Sequence, residues 1–241
     1  MESGPRSIAV LATEHLAGTA QEKIITLVAE GNLRVWVDGN PCFSATRTPG
    51  AEKAHALGLC LGAGLVRSLA DIREVRYDPE IDRDRVDVFR QPGLADDFGP
   101  PVPVSKDATL AVSRVADLIR ALFDSQTLRV VTRSTHAAIL CDLSFSPAFS
   151  AEDVSRQAAM DKVLGGALLA GELSRVSCAL LTCRINQEAV RKFARASVPI
   201  LISVSRPTAA AVETARDLNM ALVLFGDAGS VVVFSGDQRV K

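Results

Sequence analysis

The stretch Val176-Ser-Cys-Ala-Leu-Leu-Thr-Cys-Arg-Ile-Asn-Gln-Glu-Ala-Val-Arg-Lys-Phe-Ala-Arg-Ala-Ser-Val-Pro-Ile-Leu-Ile-Ser-Val204 decides the fold class. Val176–Thr182 and Ile200–Val204 are short apolar runs bounded by polar and turn residues, the pattern of strands buried on both faces. Asn186–Ala196 between them reads as a helix. Strand, helix, strand is the unit of a parallel sheet. C-terminally the alternation continues with a helix over Thr208–Leu218 and strands at Ala221–Phe225 and Val231–Phe234. N-terminally, Ser150-Ala-Glu-Asp153 resembles a capping box opening a long helix to about Ala170. Before it lie strands at Leu128–Thr132 and Ala137–Leu143. A helix capped by Ser105 or Asp107 carries Val112, Val115, Leu118, Ile119 and Leu122 on one face. Residues 105–241 thus read as a three-layer α/β domain with a mainly parallel sheet.

Gln91 to Pro103 breaks the pattern. It holds Pro92, Gly93, Gly99, Pro100, Pro101 and Pro103 and no regular period, so 91–104 is read as a linker or loop. Residues 1–90 form a smaller α+β unit in this reading. Its strands are Lys23–Ala29, Leu33–Val37, Ile72–Tyr77 and Val86–Phe89. A helix starts at Thr48-Pro49, with Thr as cap and Pro at the first helical position. Ala54, Leu57, Leu61 and Leu65 recur at helical spacing, interrupted by Gly58, Gly62 and Gly64. Glycine weakens a helix, so close packing is expected to compensate.

Hydrophobic residues make up 48% of the 241 and charged residues 23%, which excludes a disordered chain. With 27 basic and 28 acidic residues the net charge is −1, so nothing global draws the chain to nucleic acid or an anionic membrane. No apolar run approaches the roughly 20 residues of a membrane span, and Met1–Val10 lacks the core of a signal peptide. Five cysteines (Cys42, Cys60, Cys141, Cys178 and Cys183) make an odd count without a CxxC, which points to reduced thiols in the cytoplasm and to no zinc site.

Ligands of open α/β sheets bind beyond the carboxyl ends of the strands. In this reading Arg133, Ser134 and His136 follow one strand, Cys183 and Arg184 a second, and Ser205, Arg206 and Thr208 a third. Arg184 and Arg206 also precede helix N-termini, where amides and dipole favour an anion, and guanidinium forks suit phosphate. The plain alternative is three unrelated surface arginines. On the long helix, Asp153, Gln157 and Asp161 share the stripe of Val154, Met160, Leu164 and Leu168, so Asp153 and Asp161 are expected to line the pocket or to form structural ion pairs. His136 is a base or ligand-binding candidate, or a hydrogen-bonded structural histidine. Cys183, beside Arg184 and before a helix, stands where a thiol pKa is lowered, and is the candidate nucleophile; a small buried apolar residue is the alternative. No GxGxxG, P-loop or GxSxG motif is present.

At these same residues the chain resembles the FdhD/NarQ family. Thr46-Arg-Thr-Pro-Gly50 through Ala56–Leu65 resembles its TPG…LALGFLxxEGI segment, and Arg133-Ser-Thr-His-Ala-Ala138 its TGGxHAA. Glu152-Asp-Val-Ser-Arg-Gln-Ala-Ala-Met-Asp-Lys162 resembles EDVGRHNAVDK, placing Arg156, Asp161 and Lys162 in the family's site. Thr182-Cys-Arg184 stands for SGR and Ser205-Arg-Pro-Thr208 for SAPT. The resemblance implies a deaminase-like fold, a homodimer, and binding of the molybdenum guanine-dinucleotide cofactor or a guanine nucleotide. It also implies sulfur delivered from a cysteine desulfurase for a formate dehydrogenase client. The family's sulfur-carrying CxxC has no counterpart in Gln91–Pro103. Three functions follow: an accessory protein that binds the cofactor, a sulfurtransferase using another thiol such as Cys183, or an interaction protein that has lost the ligand.

Overall fold

The computed structural model describes residues 4–241; Met1–Ser3, part of the stretch read for a signal peptide, lie outside the described residues. The chain opens with an antiparallel arm, β1 (Ser7–Leu16) and β2 (Thr19–Val28). There follow β3 (Gly31–Val37), β4 (Asn40–Arg47), α1 (Glu52–Ala63), β5 (Ile72–Arg76), the short α2 (Pro79–Asp82) and β6 (Arg85–Arg90). Strands β3 to β6 make a four-stranded sheet in the order β4-β3-β6-β5. The second half comprises α3 (Val115–Asp124), α4 (Thr127–Thr132), β7 (His136–Cys141), β8 (Pro147–Asp153), α5 (Arg156–Leu169) and β9 (Cys178–Leu181). It ends with α6 (Gln187–Arg195), β10 (Ile200–Ser203), α7 (Ala209–Asp217), β11 (Ala221–Phe225) and β12 (Val231–Ser235). Its six-stranded sheet has the order β12-β11-β10-β9-β7-β8. The architecture is mixed α/β: β9, β10 and β11 pair in parallel at the centre, and the flanking pairs are antiparallel.

Side-chain alternation makes the layers. Ile139, Cys178, Leu180 and Ile202 face Val115, Leu118, Ile119 and Leu122 of α3. Ala138, Leu140, Ala179, Leu181 and Leu201 face the opposite way. They join a core that takes in α5, α6 and α7, then α1, then Leu33, Val35, Val86 and Val88 of the four-stranded sheet. One apolar core therefore runs through both sheets. The run 91–104 carries no helix or strand, and 1–90 and 105–241 remain our proposed division. Cys141 and Cys178 are register partners across β7 and β9, both fully buried. Among the described residues no helix is long and apolar enough to cross a membrane.

Several local expectations are corrected by tertiary bonds. Leu128–Thr132 is helix α4 rather than a strand, because the Glu152 carboxylate accepts the free amides of Leu128 (2.7 Å) and Arg129 (2.5 Å) and so caps a β-branched segment as a helix. Ser150–Asp153 is the end of β8 rather than a capping box; α5 starts later, where Ser155 accepts from Ala158 N. Thr48 does not cap α1. Its amide donates to Asp153 (3.0 Å), its hydroxyl accepts from Val154 N (3.0 Å), and α1 begins at Glu52 behind Ala51 in the left-handed region. Ser105 and Asp107 do not cap α3, which begins at Val115 after a turn of 3₁₀ helix at Val112–Arg114.

The glycines of α1 have a physical reason. A Cβ at Gly58 would lie 2.0 Å from the carbonyl oxygen of Asp161, and one at Gly165 would lie 1.7 Å from that of Ala54. Backbone touches backbone where α1 crosses α5, and neither carbonyl has a flexible end to move aside. Gly58→Ala or Gly165→Ala is expected to lower unfolding stability by about 3 kcal/mol or more in urea denaturation, by overpacking. Gly171→Ala, in open space, should cost less than about half as much despite its positive φ. Equal losses at all three positions would show that the crossing is not tight.

Candidate functional site

The six-stranded sheet gathers one edge from four strands. Because β7 runs antiparallel to β9, and β8 to β7, the start of β7 and the end of β8 lie beside the carboxyl ends of β9 and β10. The register pairs His136 with Asp153, Ala138 with Leu181, and Leu181 with Ser203. Side chains lock the edge: Thr182 Oγ1 accepts from Ala137 N at 2.8 Å, and Ser203 Oγ donates to the Cys183 carbonyl at 2.7 Å. Helices α5, α6 and α7 all start here. Their caps Ser155, Asn186 and Thr208 take the amides of Ala158, Ala189 and Ala211. The first amides of a helix have no partner within it. Those of Arg156, Gln157, Gln187, Glu188, Ala209 and Ala210 are left for solvent or a ligand, with the positive ends of three dipoles behind them.

Arg133, Arg156, Arg184 and Arg206 all belong to this edge and all are exposed; among the described residues none makes a hydrogen bond or ion pair with its side chain. Arg133 terminates α4 with φ 58°, the left-handed region that favours glycine, which is why the resembling pattern has a glycine there. Ser134 donates back to the Thr132 carbonyl at 2.9 Å; Ser205 and Thr208 are half-buried. Burial, then Arg156 and Arg129, hold the His136 imidazole below its ordinary pKa despite Asp153 nearby, so it is neutral at pH 7. A carboxylate is also present: Glu188 accepts from Gln157 at 2.8 Å.

Three predicted residues stand behind the edge. Asp153, fully buried, accepts from Thr48 N and Ser155 N (3.0 and 2.9 Å) and pairs with Lys162 at 2.7 Å. Lys162 also donates to the Thr48 carbonyl at 2.7 Å. This clamp fixes the turn that leads into α5. Lys162 further lines a cavity of about 480 Å³ with Arg6, Glu52 and Glu152. Asp161 does not reach the edge. It is fully buried and pairs with Lys192 of α6 at 2.6 Å, and burial lifts its carboxyl to about 6 against the pull of that lysine. The pocket-lining role expected of Asp161 is thus corrected: its helix position faces α1 and α6. The expected acidity of Cys183 is corrected too. The residue is 4% exposed, and burial pushes its thiol pKa up against the opposing effect of Arg156. Cys42 is the exposed cysteine.

Sequence reasoning missed the charges inside the α1–α5 interface. Arg47, 1% exposed, pairs with Glu52 (3.3 Å) and Asp84 (3.1 Å), and Lys192 neutralises Asp161. His55, wholly buried, lies near Lys162, Lys192 and Arg47, and burial followed by those cations drives its pKa to about 3. Arg47 had a signal, its place in Thr46–Gly50; Lys192 and His55 had none.

The class is that of a mixed α/β protein whose six-stranded sheet collects three helix N-termini and four unpaired arginines at one edge. The sequence profile of the FdhD/NarQ family matches residues 93–241. The sulfur carrier protein FdhD of Bordetella bronchiseptica is 32% identical over 218 residues, covering 80% of this chain and 79% of that protein. That of Anaeromyxobacter dehalogenans is 29% identical over 255 residues, covering 89% and 88%. The crystal structure of a proposed formate dehydrogenase accessory protein from Desulfotalea psychrophila superposes with a TM-score of 0.87 at 23% identity, covering 98% of this chain and all of that one. The chain belongs to the FdhD/NarQ family.

Two outcomes test the buried charges. Asp161→Asn and Lys192→Met should each cost about 3–5 kcal/mol, since each strands a buried partner, while the double variant should cost less than either. Additive losses in chemical denaturation would refute the pairing. The second outcome concerns pH. His55 refuses in the fold a proton that the unfolded chain accepts below about 6.5, so its contribution to stability falls as pH drops toward 3. Asp161, raised to about 6, works the other way as pH falls toward 4. Between pH 6 and 4 the two slopes oppose. In His55→Gln the first is removed, so the variant should gain on the parent by about 1.4 kcal/mol per pH unit on acidification through that window. A constant difference would place His55 in solvent.

Proposed function

We propose that this protein is an accessory factor for a molybdenum-dependent formate dehydrogenase, and that its sheet edge holds the guanine-dinucleotide form of the cofactor or a related guanine nucleotide. What carries this reading is the topology, which places six unbonded helix amides and four unpaired arginines along one edge of the sheet. Positive charge without internal partners favours a ligand bearing phosphates. Arg184 and Arg206, at the entries to α6 and α7, take the phosphates in this reading. Arg133, Arg156, Ser134, Ser205 and Thr208 supply further donors. His136, neutral, has one ring nitrogen to donate and one to accept, which suits a ribose hydroxyl or a base. Asp153 and Lys162 hold the α5 entry in place in this reading. When bound, the cofactor supplies the redox centre that the client enzyme uses. This chain's residues bind and orient it.

The relatives are named sulfur carriers. This chain has no cysteine in Gln91–Pro103, and burial keeps Cys183 protonated. Our reading therefore assigns it the holding of the cofactor rather than the carriage of sulfur. A cysteine desulfurase and a homodimeric state, both from the resemblance, belong to the same proposal. The test is thermal and chemical denaturation with GDP. At about 100 times Kd, GDP should add about 2.7 kcal/mol of stability. Arg184→Ala should abolish that gain and leave the ligand-free melting temperature nearly unchanged, since the side chain is exposed and unpaired. No gain at saturating GDP, or a gain that Arg184→Ala leaves intact, would overturn the assignment.

A further inference from the structure

Helices α5 and α6 begin at the edge just described and end at the opposite pole of the molecule, where α1 also ends. Between these three ends lies a cavity of about 560 Å³, within the range of small-molecule sites. Three cationic side chains line it, Arg67, Lys106 and Arg195, and no carboxylate does.

The cations differ in how far the fold already accounts for them. Arg67 stacks on the Phe98 ring at 3.8 Å and has Asp71, outside the cavity wall, 3.8 Å away. Lys106 donates to the carbonyls of Leu173 (3.2 Å) and Val176 (2.9 Å), as a cation at a helix end should. Arg195 is the last residue of α6, where the dipole also favours a cation, but no carbonyl there accepts from it. The last carbonyls of its own helix accept from Ser197 N and Val198 N, and those at the end of α1 accept from Gly64 N and Leu65 N. Among the described residues its guanidinium makes no hydrogen bond and no ion pair. Yet it is half-buried and lies against Gly64, where a Cβ would come within 2.2 Å of Arg195 Nη1. A guanidinium has five donors and accepts nothing, so a recess that half-buries one without an acceptor is complementary to an oxyanion. Ser105, Ser174 and Ser197 add hydroxyls to the wall, and Leu69, Leu168 and Leu173 give it an apolar side.

We propose that this cavity is a second ligand site, separate from the sheet edge, which takes a small doubly charged oxyanion on a short carbon skeleton through Arg195 with Lys106 and Arg67. The shared chemistry is that of a phosphate ester or a dicarboxylate. The two are told apart by probe: glycerol 2-phosphate for the first, malonate for the second.

Isothermal titration of the full chain with each probe is the test. At least one should bind with Kd below about 1 mM, and Arg195→Gln should weaken it by about tenfold or more, as expected for losing a charge-assisted fork. Arg184→Ala, at the other pole, should leave that Kd within about twofold. Because a failed fold would mimic the first result, Ser174→Glu is the second variant. It keeps the guanidinium and adds a competing carboxylate from an exposed position, and should give a similar loss with an unchanged melting temperature. Binding of neither probe below about 10 mM overturns the proposal, as does binding that Arg184→Ala abolishes and Arg195→Gln spares.

Discussion

Two helices from opposite halves of the chain meet here with nothing between their backbones. Gly58 faces the carbonyl of Asp161, Gly165 faces that of Ala54, and the rest of the structure is arranged around this approach. It draws α1 into the layer that covers the six-stranded sheet, and with α1 comes the four-stranded sheet, so that one core serves both. It also forces charged residues inward. Asp161 sits where α1, α5 and α6 converge and must bring Lys192 with it; Asp153 needs Lys162, and Arg47 needs Glu52. Isolated buried charges would be prohibitive, and these survive as pairs. His55, among three cations, stays neutral for the same reason.

The pairs also connect the architecture to the edge. Asp153 is the last residue of β8, and its carboxylate spans Thr48 before α1 and Ser155 at the start of α5. The entry to α5 is thus fixed relative to β7 and β9 by a side chain that never meets the solvent. Inserting β7 antiparallel between β8 and β9 lets the segment before a strand, Arg133–His136, join segments that follow strands, Cys183–Arg184 and Ser205–Arg206. Chain direction differs, yet the edge is shared.

The central βαβ stretch was legible in the sequence because buried parallel strands are continuous apolar runs. Cys178–Leu181, Gln187–Arg195 and Ile200–Ser203 fall within the ranges read from it. So were Arg184 and Arg206, since position after a strand is a local property; Arg133 reaches the edge from the end of a helix that was read as a strand. What could not be read was set by contacts distant in sequence. Leu128–Thr132 has a strand's composition and becomes a helix because Glu152, 24 residues away, caps it. Thr48-Pro49 has the form of a helix start, but Asp153, 105 residues on, takes the threonine. Asp161 carried the right anomaly, a carboxylate on an apolar stripe, and the wrong destination: amphipathic spacing says that a side chain faces inward, not which neighbour waits there.

The cysteines on β7 and β9 show what such packing implies for handling the molecule. Cys141 and Cys178 lie opposite one another, both sealed from water, and each thiol's nearest chemistry is the other. An oxidant cannot reach them while the sheet is closed, so their state records the history of the fold rather than the solvent of the moment. A crosslink between them would mark chains whose sheet had once come apart in the presence of an oxidant.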